Sequence, residues 1–441
     1  MKGFKMKKIK FLISGLAITG MVLFSGYGSA KDIENESSID TQTLAEYFLP
    51  LPRSVDMILE ESISRRKSHR IFTEETVSDE ALSTVLWSAY GIRDDGTRTV
   101  EAVDTLHATV IYVLKEDAAY KYNPINHALV FYKEGDYRIH LKNYPSIYMA
   151  PIQFVLCLDI DTGNFFRTSV EIGEIGQTIL LTSVALGLGS VVTAQSPVTM
   201  APIGLPENEL AIVVIPLGHL ETPYEFSNQP YRFSMLDKTV FSDMSLSTAL
   251  QQREETSSLG GTLFWQEKSQ IIWASYGFSP LRDKQLNFIY LPRHRTVPSP
   301  HLTYDAITMY AVMEDGIYRY IALGNLRIPG EPVFDFLIKV VDGDQRGALA
   351  QACSKPALAA APLSIISVMD IEKTTSEEYY WAYWYFVAGA SAQNILLEAT
   401  ALNLFGDITF PPDPDAILSL LELRAQVFQP LLVVSVGSEA Y

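Results

Sequence analysis

The sequence is poor in cysteine and in positive charge, and both shortages exclude classes of protein. Only two of its 441 residues are cysteines, Cys157 and Cys353, so a disulfide-rich scaffold and a C-x-x-C redox motif are ruled out. The two thiols are either both reduced and buried or joined in one disulfide. Lys and Arg number 34 against 51 Asp and Glu, a formal net charge of −17. Because binding to nucleic acid needs a basic face, nucleic acid is not predicted as a partner.

The sequence also lacks the short motifs of metal, nucleophile and phosphate-loop chemistry. Its seven histidines show neither H-E-x-x-H nor paired Cys/His spacing, so no metal site is predicted. There is no G-x-S-x-G nucleophile elbow and no P-loop. In contrast, 48% of the residues are hydrophobic and 11% aromatic, which excludes a disordered chain.

The first 30 residues have the composition of a secretory signal peptide. Residues 1–10 carry five lysines and no acid, an apolar run extends from Phe11 to about Ser25, and Gly28-Ser-Ala30 supplies the small residues of a cleavage site. We therefore predict residues 1–30 as a signal peptide and the mature chain as exported, to the periplasm, the cell surface or the medium. The apolar run is shorter than the ~20 residues of a spanning helix, so a permanent membrane anchor is the alternative.

The rest of the chain contains an internal repeat. Residues 87–92 (WSAYGI) recur as 273–278 (WASYGF), and 177–181 (QTILL) recur as 393–397 (QNILL). Four shorter matches lie between them in the same order, with a spacing that only grows, as insertions in a duplicated unit would produce. We predict two homologous copies, at 46–222 and 263–437, joined by a polar connector at 223–262.

Each predicted copy mixes strands and helices without a regular βαβ alternation, which favours an α+β architecture over a doubly wound sheet. Each also contains one long helix, Val170–Leu188 or Tyr385–Leu404, that is apolar nearly all round. Such a helix needs burial on several sides, and contact between the two copies would supply it. The aromatic run Tyr379–Phe386 either packs in this interior or forms a stacking wall for an aromatic substrate.

The densest positive cluster in the mature chain is the basic segment Ser64–Arg70, with the sequence SRRKSHR. Arg66 and Arg70 are four residues apart, so on a helix both would project from one face. Together with the Ser68 hydroxyl, two guanidinium groups can hold a dianionic phosphate. A solvated, charged helix face is the alternative.

The stretch RKSHR at 66–70, followed by Ile71-Phe72, 77–82 (VSDEAL) and 86–91 (LWSAYG), resembles the opening of the FMN-dependent nitroreductase family. The likeness is greatest to its azoline-oxidising branch, the flavin dehydrogenases of thiazole- and oxazole-forming peptide synthesis. The resemblance implies FMN as the cofactor and two sets of binding residues in the first copy. These are a phosphate grip of Arg66, Lys67, Ser68 and Arg70, and a backbone stretch beside the flavin ring at Thr193, Ala194 and Gln195.

In that family each flavin lies between two subunits, and the two copies of this chain have diverged in a complementary way. The second copy keeps the partner's turn at Arg295–Pro300, whereas the first copy has lost Pro-Ser there. Conversely, the second copy replaces the basic grip with 251–256 (QQREET), which carries Glu254 and Glu255. The resemblance therefore implies an intramolecular pseudo-dimer with one flavin, although independent decay of both sites is the alternative. The second copy would contribute Pro298, Ser299 and Pro300 beside the ring, and His301 and Tyr304 facing the substrate.

The function that the resemblance implies is an exported FMN-dependent oxidoreductase, an enzyme that acts on a small-molecule substrate as a monomeric pseudo-dimer. The electron donor or acceptor is not identified; oxygen, a quinone or a partner protein would suit an exported enzyme better than a nicotinamide cofactor. The alternative is a non-catalytic binding protein on a degenerate nitroreductase scaffold.

Overall fold

The structure, a computed structural model, describes eleven parts of the chain, and the predicted signal peptide lies outside them. They are residues 45–100, 107–138, 149–194, 200–228, 233–254, 256, 258–283, 294–299, 305–324, 333–374 and 378–439.

In its described residues the first copy forms an antiparallel sheet with three α-helices. Its strands are β1 (Glu46–Phe48), β2 (Thr109–Leu114), β3 (Ala118–Asn123), β4 (Ala128–Glu134), β5 (Ile152–Asp159), β6 (Gly189–Ser190), β7 (Thr193–Ala194) and β8 (Glu209–Gly218). They follow the order β1-β4-β3-β2-β5-β8-β6, and β7 also pairs with β8. The helices are α1 (Leu59–Arg65), α2 (Asp79–Tyr90) and α3 (Phe165–Ala185).

The second copy repeats this arrangement. After β9 (Phe226–Asn228), its strands are β10 (Phe233–Ser234), β11 (Leu259–Gly260), β12 (Leu281–Asp283), β13 (Ile307–Met313), β14 (Gly316–Gly324), β15 (Val333–Asp342), β16 (Leu363–Asp370), β17 (Phe405–Thr409) and β18 (Phe428–Glu439). The sheet has the order β10-β15-β14-β13-β16-β18-β11, with β17 also pairing with β18. The helices are α4 (Leu246–Gln252), α5 (Trp265–Tyr276), α6 (Arg346–Ala352), α7 (Glu378–Ala401) and α8 (Pro414–Leu420). The five central strands share one order, β4-β3-β2-β5-β8 and β15-β14-β13-β16-β18, which confirms the predicted α+β fold in two copies. The edges differ, since β1 is antiparallel to β4 whereas β10 is parallel to β15.

The repeated tryptophan stretch has the same local structure in both copies. Helices α2 and α5 each end before a glycine, and the indole of each tryptophan donates to a carbonyl five residues on. Trp87 Nε1 donates to Ile92 O at 3.1 Å, and Trp273 Nε1 donates to Phe278 O at 2.8 Å. The sequence repeat therefore corresponds to one structural unit used twice.

The two copies meet along their long helices, α3 and α7, at a pair of glycines. A Cβ added to Gly173 would lie 2.1 Å from the Phe386 carbonyl oxygen, and one added to Gly389 would lie 2.0 Å from the Val170 carbonyl oxygen. Each helix backbone thus rests against the other at a residue that has no side chain. The reciprocal contact indicates a pseudo-two-fold axis between the copies.

Polar contacts beside the glycines follow the same symmetry. Gln177 Nε2 donates to Asn394 Oδ1 at 2.8 Å, and Gln393 Nε2 donates to Thr178 Oγ1 at 3.0 Å. All four side chains are fully buried. Because a buried amide must find a partner, these bonds specify how the two helices fit together.

The segment predicted as a connector, 223–262, contains ordered elements that belong to the second copy. Strands β10 and β11 lie at the edges of the second sheet, where they pair with β15 and β18. Helix α4 lies beside α1, where Leu59 N donates to Met244 O and Leu246 N to Met57 O. The predicted boundaries at 46–222 and 263–437 remain predictions, and residues 44–441 form one compact unit.

Both cysteines are free and buried, which resolves the alternative left open by the sequence. Burial raises the pKa of the Cys157 thiol well above its ordinary value and that of Cys353 to about 11. Among the helices in the described part of the chain, none is both long and apolar enough to cross a bilayer.

Candidate functional site

The basic segment begins where α1 ends, at the junction of the two copies. Helix α1 stops at Arg65, and Arg66 has extended dihedral angles of φ −59° and ψ 120°. The prediction that Arg66 and Arg70 share one helical face is therefore wrong, because the helix ends before them. The segment instead lies against the second copy, where Ser279 Oγ donates to the Ser64 carbonyl.

Arg66 connects the basic segment to the second-copy turn (Arg295–Ser299). Its Nη2 and Nε donate to the Arg295 carbonyl oxygen at 2.8 and 3.3 Å. The side chain is 3% exposed, and burial lowers its pKa to about 10. Within the described ranges its buried Nη1 has no hydrogen-bond partner and no carboxylate pairs with it. A buried cation with an unused donor would be stabilised by an anionic ligand.

Lys67 points towards a carboxylate of the second copy. Its Nζ lies 2.8 Å from Asp283 Oδ2, and the two side chains are 8% and 0% exposed. His294 Nε2 lies 3.0 Å from the same carboxylate oxygen. The Lys67 charge is thus balanced by a buried acid from the other copy.

Ser68 and Arg70 face a cavity of about 250 Å³ between the copies. Arg70 is exposed, and its Nη1 lies 3.5 Å from the Ser68 carbonyl oxygen, a weak contact. A guanidinium group and a hydroxyl are therefore available to a ligand. The cavity is lined by Lys67, Ser68, His69, Arg70, Ile71, Glu221, Thr222, Asp283 and His294.

His69 adds no positive charge to the cavity at neutral pH. Burial, aided by the charge of Lys67, lowers its pKa to about 3. Its ring packs edge-on against Tyr224 with the centroids 4.5 Å apart, and its backbone N–H donates to Ser190 O at 3.0 Å. That last bond places β6 directly beside the basic segment.

The predicted ring-binding stretch continues from β6 into β7. Thr193 pairs with Val214 and Ala194 with Val213 of β8, and Thr193 Oγ1 donates to Val214 O at 2.9 Å. The backbone of Thr193 and Ala194 is therefore fixed by the sheet. Gln195 lies outside the described residues.

The second-copy turn is held rigidly from two directions. The Arg295 guanidinium forms an ion pair with Asp305 at 3.0 Å and lies over the rings of Tyr276 and Phe278. The carbonyl oxygen of Thr296 accepts hydrogen bonds from both long helices, through Gln177 and Asn394.

The turn ends at Pro298, which is buried, and Ser299, which is half-buried. Through the Arg66–Arg295 contact the structure brings the basic segment and this turn together. Pro300, His301 and Tyr304 lie outside the described residues.

The pseudo-two-fold axis relates the site described above to an equivalent position, called the mirror site here, in which the two copies exchange roles. A larger side chain lies there. Thr409 of β17 pairs with Val433 as Thr193 pairs with Val214, so Phe410 stands where the first copy has Ala194. The Arg167 guanidinium lies 5.2 Å from the centroid of the Phe410 ring.

The counterpart of the basic segment differs as well. Helix α4 ends at Gln252, and Arg253 has the same backbone angles as Arg66. Arg93 of the first copy donates through Nη1 to the Arg253 carbonyl. Glu254 follows and is exposed, and Glu255 lies outside the described residues.

Sequence reasoning missed several residues around the cavity. Tyr224 and Phe226 lie in the predicted connector, and Asp283 and His294 lie far along the chain, with no motif to mark them. One general indication of them was present in the sequence. In a duplicated chain whose copies pack against each other, residues outside the first copy are expected to contribute to a site between the copies.

Within the aromatic run, Trp384, Tyr385 and Phe386 are buried and pack in the interior, and Tyr383 also approaches the site. The Tyr383 ring stacks on Phe386 with the centroids 6.0 Å apart. Burial raises its pKa to about 12, while the neighbouring guanidinium groups of Arg66 and Arg70 act in the opposite direction.

A larger groove of about 840 Å³ on the first copy does not match the predicted site. None of the predicted cofactor residues lines it. It contains more carboxylates than cations, and these would repel a phosphate. Its charged residues are Glu74, Asp79, Lys115, Glu116, Asp117, Asp136 and Arg138. In the described ranges no group of three His, Cys, Asp or Glu side chains could hold a metal ion.

Known proteins share both the sequence pattern of the first copy and the fold of the whole. The model described as the nitroreductase family matches residues 63–219. A putative nitroreductase from Methanocaldococcus jannaschii is 27% identical over 164 residues, which cover 32% of this chain and 81% of that protein.

Among solved structures, a putative nitroreductase from Anabaena variabilis has a TM-score of 0.62 at 14% identity. The match covers 85% of this chain and 93% of that one, so the shared fold includes both copies. A putative nitroreductase from Desulfovibrio desulfuricans, solved in complex with FMN, matches 44% of this chain and 85% of its own, at 16% identity and a TM-score of 0.29.

Proposed function

We propose that this chain, whose residues 63–219 belong to the nitroreductase family of oxidoreductases, is an FMN-dependent oxidoreductase with a single flavin site between its two copies. The contact of the Arg66 guanidinium with the Arg295 carbonyl oxygen carries the proposal. It joins a cationic segment of the first copy to a Pro-Ser turn of the second. In this family such a pair belongs to two subunits.

The residues at this junction suit the phosphate of FMN. Arg66 has a buried, unused donor, Arg70 has an exposed guanidinium, and Ser68 contributes a hydroxyl. In the part of the chain that the structure describes, neither guanidinium pairs with a carboxylate. Two such charges match a phosphate dianion, since charge-assisted hydrogen bonds to phosphate are the strong ones. Arg66, Ser68 and Arg70 would therefore hold the phosphate.

The flavin would supply the electron-transfer chemistry, and the protein would orient it and exclude side reactions. The backbone of Thr193 and Ala194, fixed by pairing with β8, would lie along one edge of the ring system. Pro298 and Ser299 would flank it from the second copy. Because ion pairing and both long helices hold the turn, it would need little rearrangement on binding.

One flavin per chain is the stoichiometry that the two junctions favour. At the mirror site Phe410 replaces Ala194, with the Arg167 guanidinium over its ring. Glu254 there replaces the basic side chain of Lys67 and would repel a phosphate. The first copy has kept the basic segment and the second copy has kept the Pro-Ser turn, so the features that remain belong to the same site. This outcome is less expected if both sites were decaying independently.

We further propose that the protein is exported and acts on a small-molecule substrate. The composition of residues 1–30 supports export. Outside the cytoplasm nicotinamide cofactors are scarce, so oxygen, a quinone or a partner protein would complete the redox couple.

The test is to purify the chain and measure bound flavin. We expect a yellow protein whose flavin absorbance is bleached by dithionite and restored by air. A colourless protein that FMN cannot reconstitute would overturn the proposal and support the non-catalytic binding protein instead.

A further inference from the structure

Lys67 lies in the basic segment, yet its surroundings differ from those of Arg66 and Arg70. Its ammonium is 2.8 Å from Asp283 Oδ2, and the Asp283 side chain is fully buried. His294, whose pKa is lowered mainly by burial, shares that carboxylate at 3.0 Å. Neutral His294 adds no charge, so within the described residues Lys67 is a cation that pairs with Asp283.

Two aromatic rings complete the environment of the ammonium. Tyr224 and Phe226 stack with their centroids 5.9 Å apart, and Lys67 Nζ lies 5.4 and 5.7 Å from them. The Arg65 guanidinium lies 5.5 Å from the Phe226 ring. Cations over ring faces are attracted more strongly where water is excluded.

A two-stranded ribbon holds the acid and the rings together. Strand β9 pairs with β12, and in this register Asp283 is directly opposite Phe226. The Tyr224 hydroxyl donates to Leu188 O in the first copy at 3.3 Å. The ribbon thus joins the segment after the first copy to the second copy and lies over the basic segment.

We propose that Lys67 is a positioning residue that fastens the basic segment to this ribbon, and that it is not a ligand of the cofactor phosphate. A buried ion pair is costly to break on one side, because the remaining charge stays buried without a partner. Within the basic segment, the ion pair leaves Arg66 and Arg70 as the cations that would face the phosphate. Only the statement about phosphate rests on the proposed function, since the fastening itself needs no cofactor.

A double-mutant cycle on the purified chain tests the fastening. We compare K67M, D283N and K67M/D283N by thermal unfolding without flavin. Each single change should lower the melting temperature. Because the ion pair is already broken in D283N, adding K67M to it should lower the melting temperature little further. The matched control is Lys121, which pairs with Glu209 at 2.6 Å inside one copy and is 41% exposed. K121M should have a much smaller effect. Additive losses in the cycle would overturn the proposal.

Titration with FMN, followed by quenching of flavin fluorescence, tests the statement about phosphate. The dissociation constant of K67M/D283N should stay within about threefold of the parent, whereas R70A should raise it by about tenfold or more. Equal weakening in the double variant and in R70A would make Lys67 a phosphate ligand and contradict the proposal. If neither the parent nor any variant binds FMN, the proposed function is wrong. The thermal unfolding cycle then still tests whether Lys67 fastens the basic segment to the ribbon. Should K67M alone not fold, the comparison of D283N with K67M/D283N suffices.

Discussion

The segments that follow α1 and α4 begin alike and then diverge. Each helix has seven residues and is followed by a buried arginine with nearly the same backbone angles, φ −59°, ψ 120° at Arg66 and φ −60°, ψ 122° at Arg253. Beyond Arg66 the chain lines a cavity with Ser68 and Arg70. Beyond Arg253 it continues into the exposed acid Glu254. One backbone framework thus supports a cationic segment on one side and a segment that carries an exposed acid on the other.

The largest effect should come from making the proposed flavin site resemble the mirror site. A194F introduces the side chain that Phe410 provides in the second copy. It should abolish FMN binding, because a ring at this position would compete with the flavin. Equilibrium dialysis with FMN measures this, and the matched control F410A should retain binding without gaining a second equivalent. Unchanged binding by A194F would refute the placement of Ala194 beside the flavin.

The next largest effect concerns the basic segment itself. R66A/R70A should weaken FMN binding by about a hundredfold or more, since each charge-assisted hydrogen bond contributes ~1.5–3 kcal/mol. Fluorescence titration measures the loss. R253A, the same change at the mirror site, should leave the dissociation constant nearly unaltered. Similar losses in both variants would contradict a single phosphate site.

The contact between the copies can be tested at its two glycines. G173A and G389A should each destabilise the fold by about 1–3 kcal/mol or more, because the new Cβ would overlap a carbonyl oxygen of the facing helix. Urea unfolding measures the change. Gly347 in α6 has nothing within 4 Å of an added Cβ, so G347A should be neutral or slightly stabilising. An unchanged free energy of unfolding in G173A would contradict the close contact between α3 and α7.

A smaller, pH-dependent effect is expected at a buried acid that only the second copy carries. Burial raises the pKa of Glu398 well above its ordinary value, and Glu60 of the first copy adds to the shift. Glu398 Oε1 accepts from Gln270 at 2.6 Å, whereas Oε2 has no partner in the described residues. The pKa of Glu398 is higher in the folded protein than in the unfolded chain. Its contribution to the free energy of unfolding is therefore fully present below pH 4.5, and it is lost as the pH rises through the pKa of the folded state.

E398Q should therefore stabilise the protein at pH 8 by about 1–3 kcal/mol and change little at pH 4.5. Thermal unfolding at the two pH values measures the difference. The exposed Glu372 provides the control, and E372Q should behave like the parent at both. If E398Q were stabilised equally at both pH values, the raised pKa of Glu398 would not be the cause of the effect.

Much of the fold could be predicted from the sequence because its signals were local or repeated. The recurring tryptophan stretch and the QTILL and QNILL pair predicted two copies. The long helices are apolar nearly all round, and this predicted their burial. The nitroreductase resemblance of the first copy is confirmed by the family match at 63–219. The azoline-oxidising branch and the roles of the individual site residues remain predictions.

The missing parts of the site depend on tertiary contacts that leave no local trace. The pairing of Asp283 with Lys67 and the stacking of Tyr224 on Phe226 arise only when β9 and β12 form a ribbon across the copies. The helical interpretation of Arg66 and Arg70 was wrong for a related reason. The Arg66 side chain bonds to the Arg295 carbonyl in an extended conformation, and α1 ends before it.

We propose that the two unequal junctions leave room for one flavin. This can be tested by saturating the purified chain with FMN and quantifying the released flavin against protein. We expect one FMN per chain in the parent and none in A194F. Two per chain, or one that survives in A194F and is lost in F410A, would contradict it.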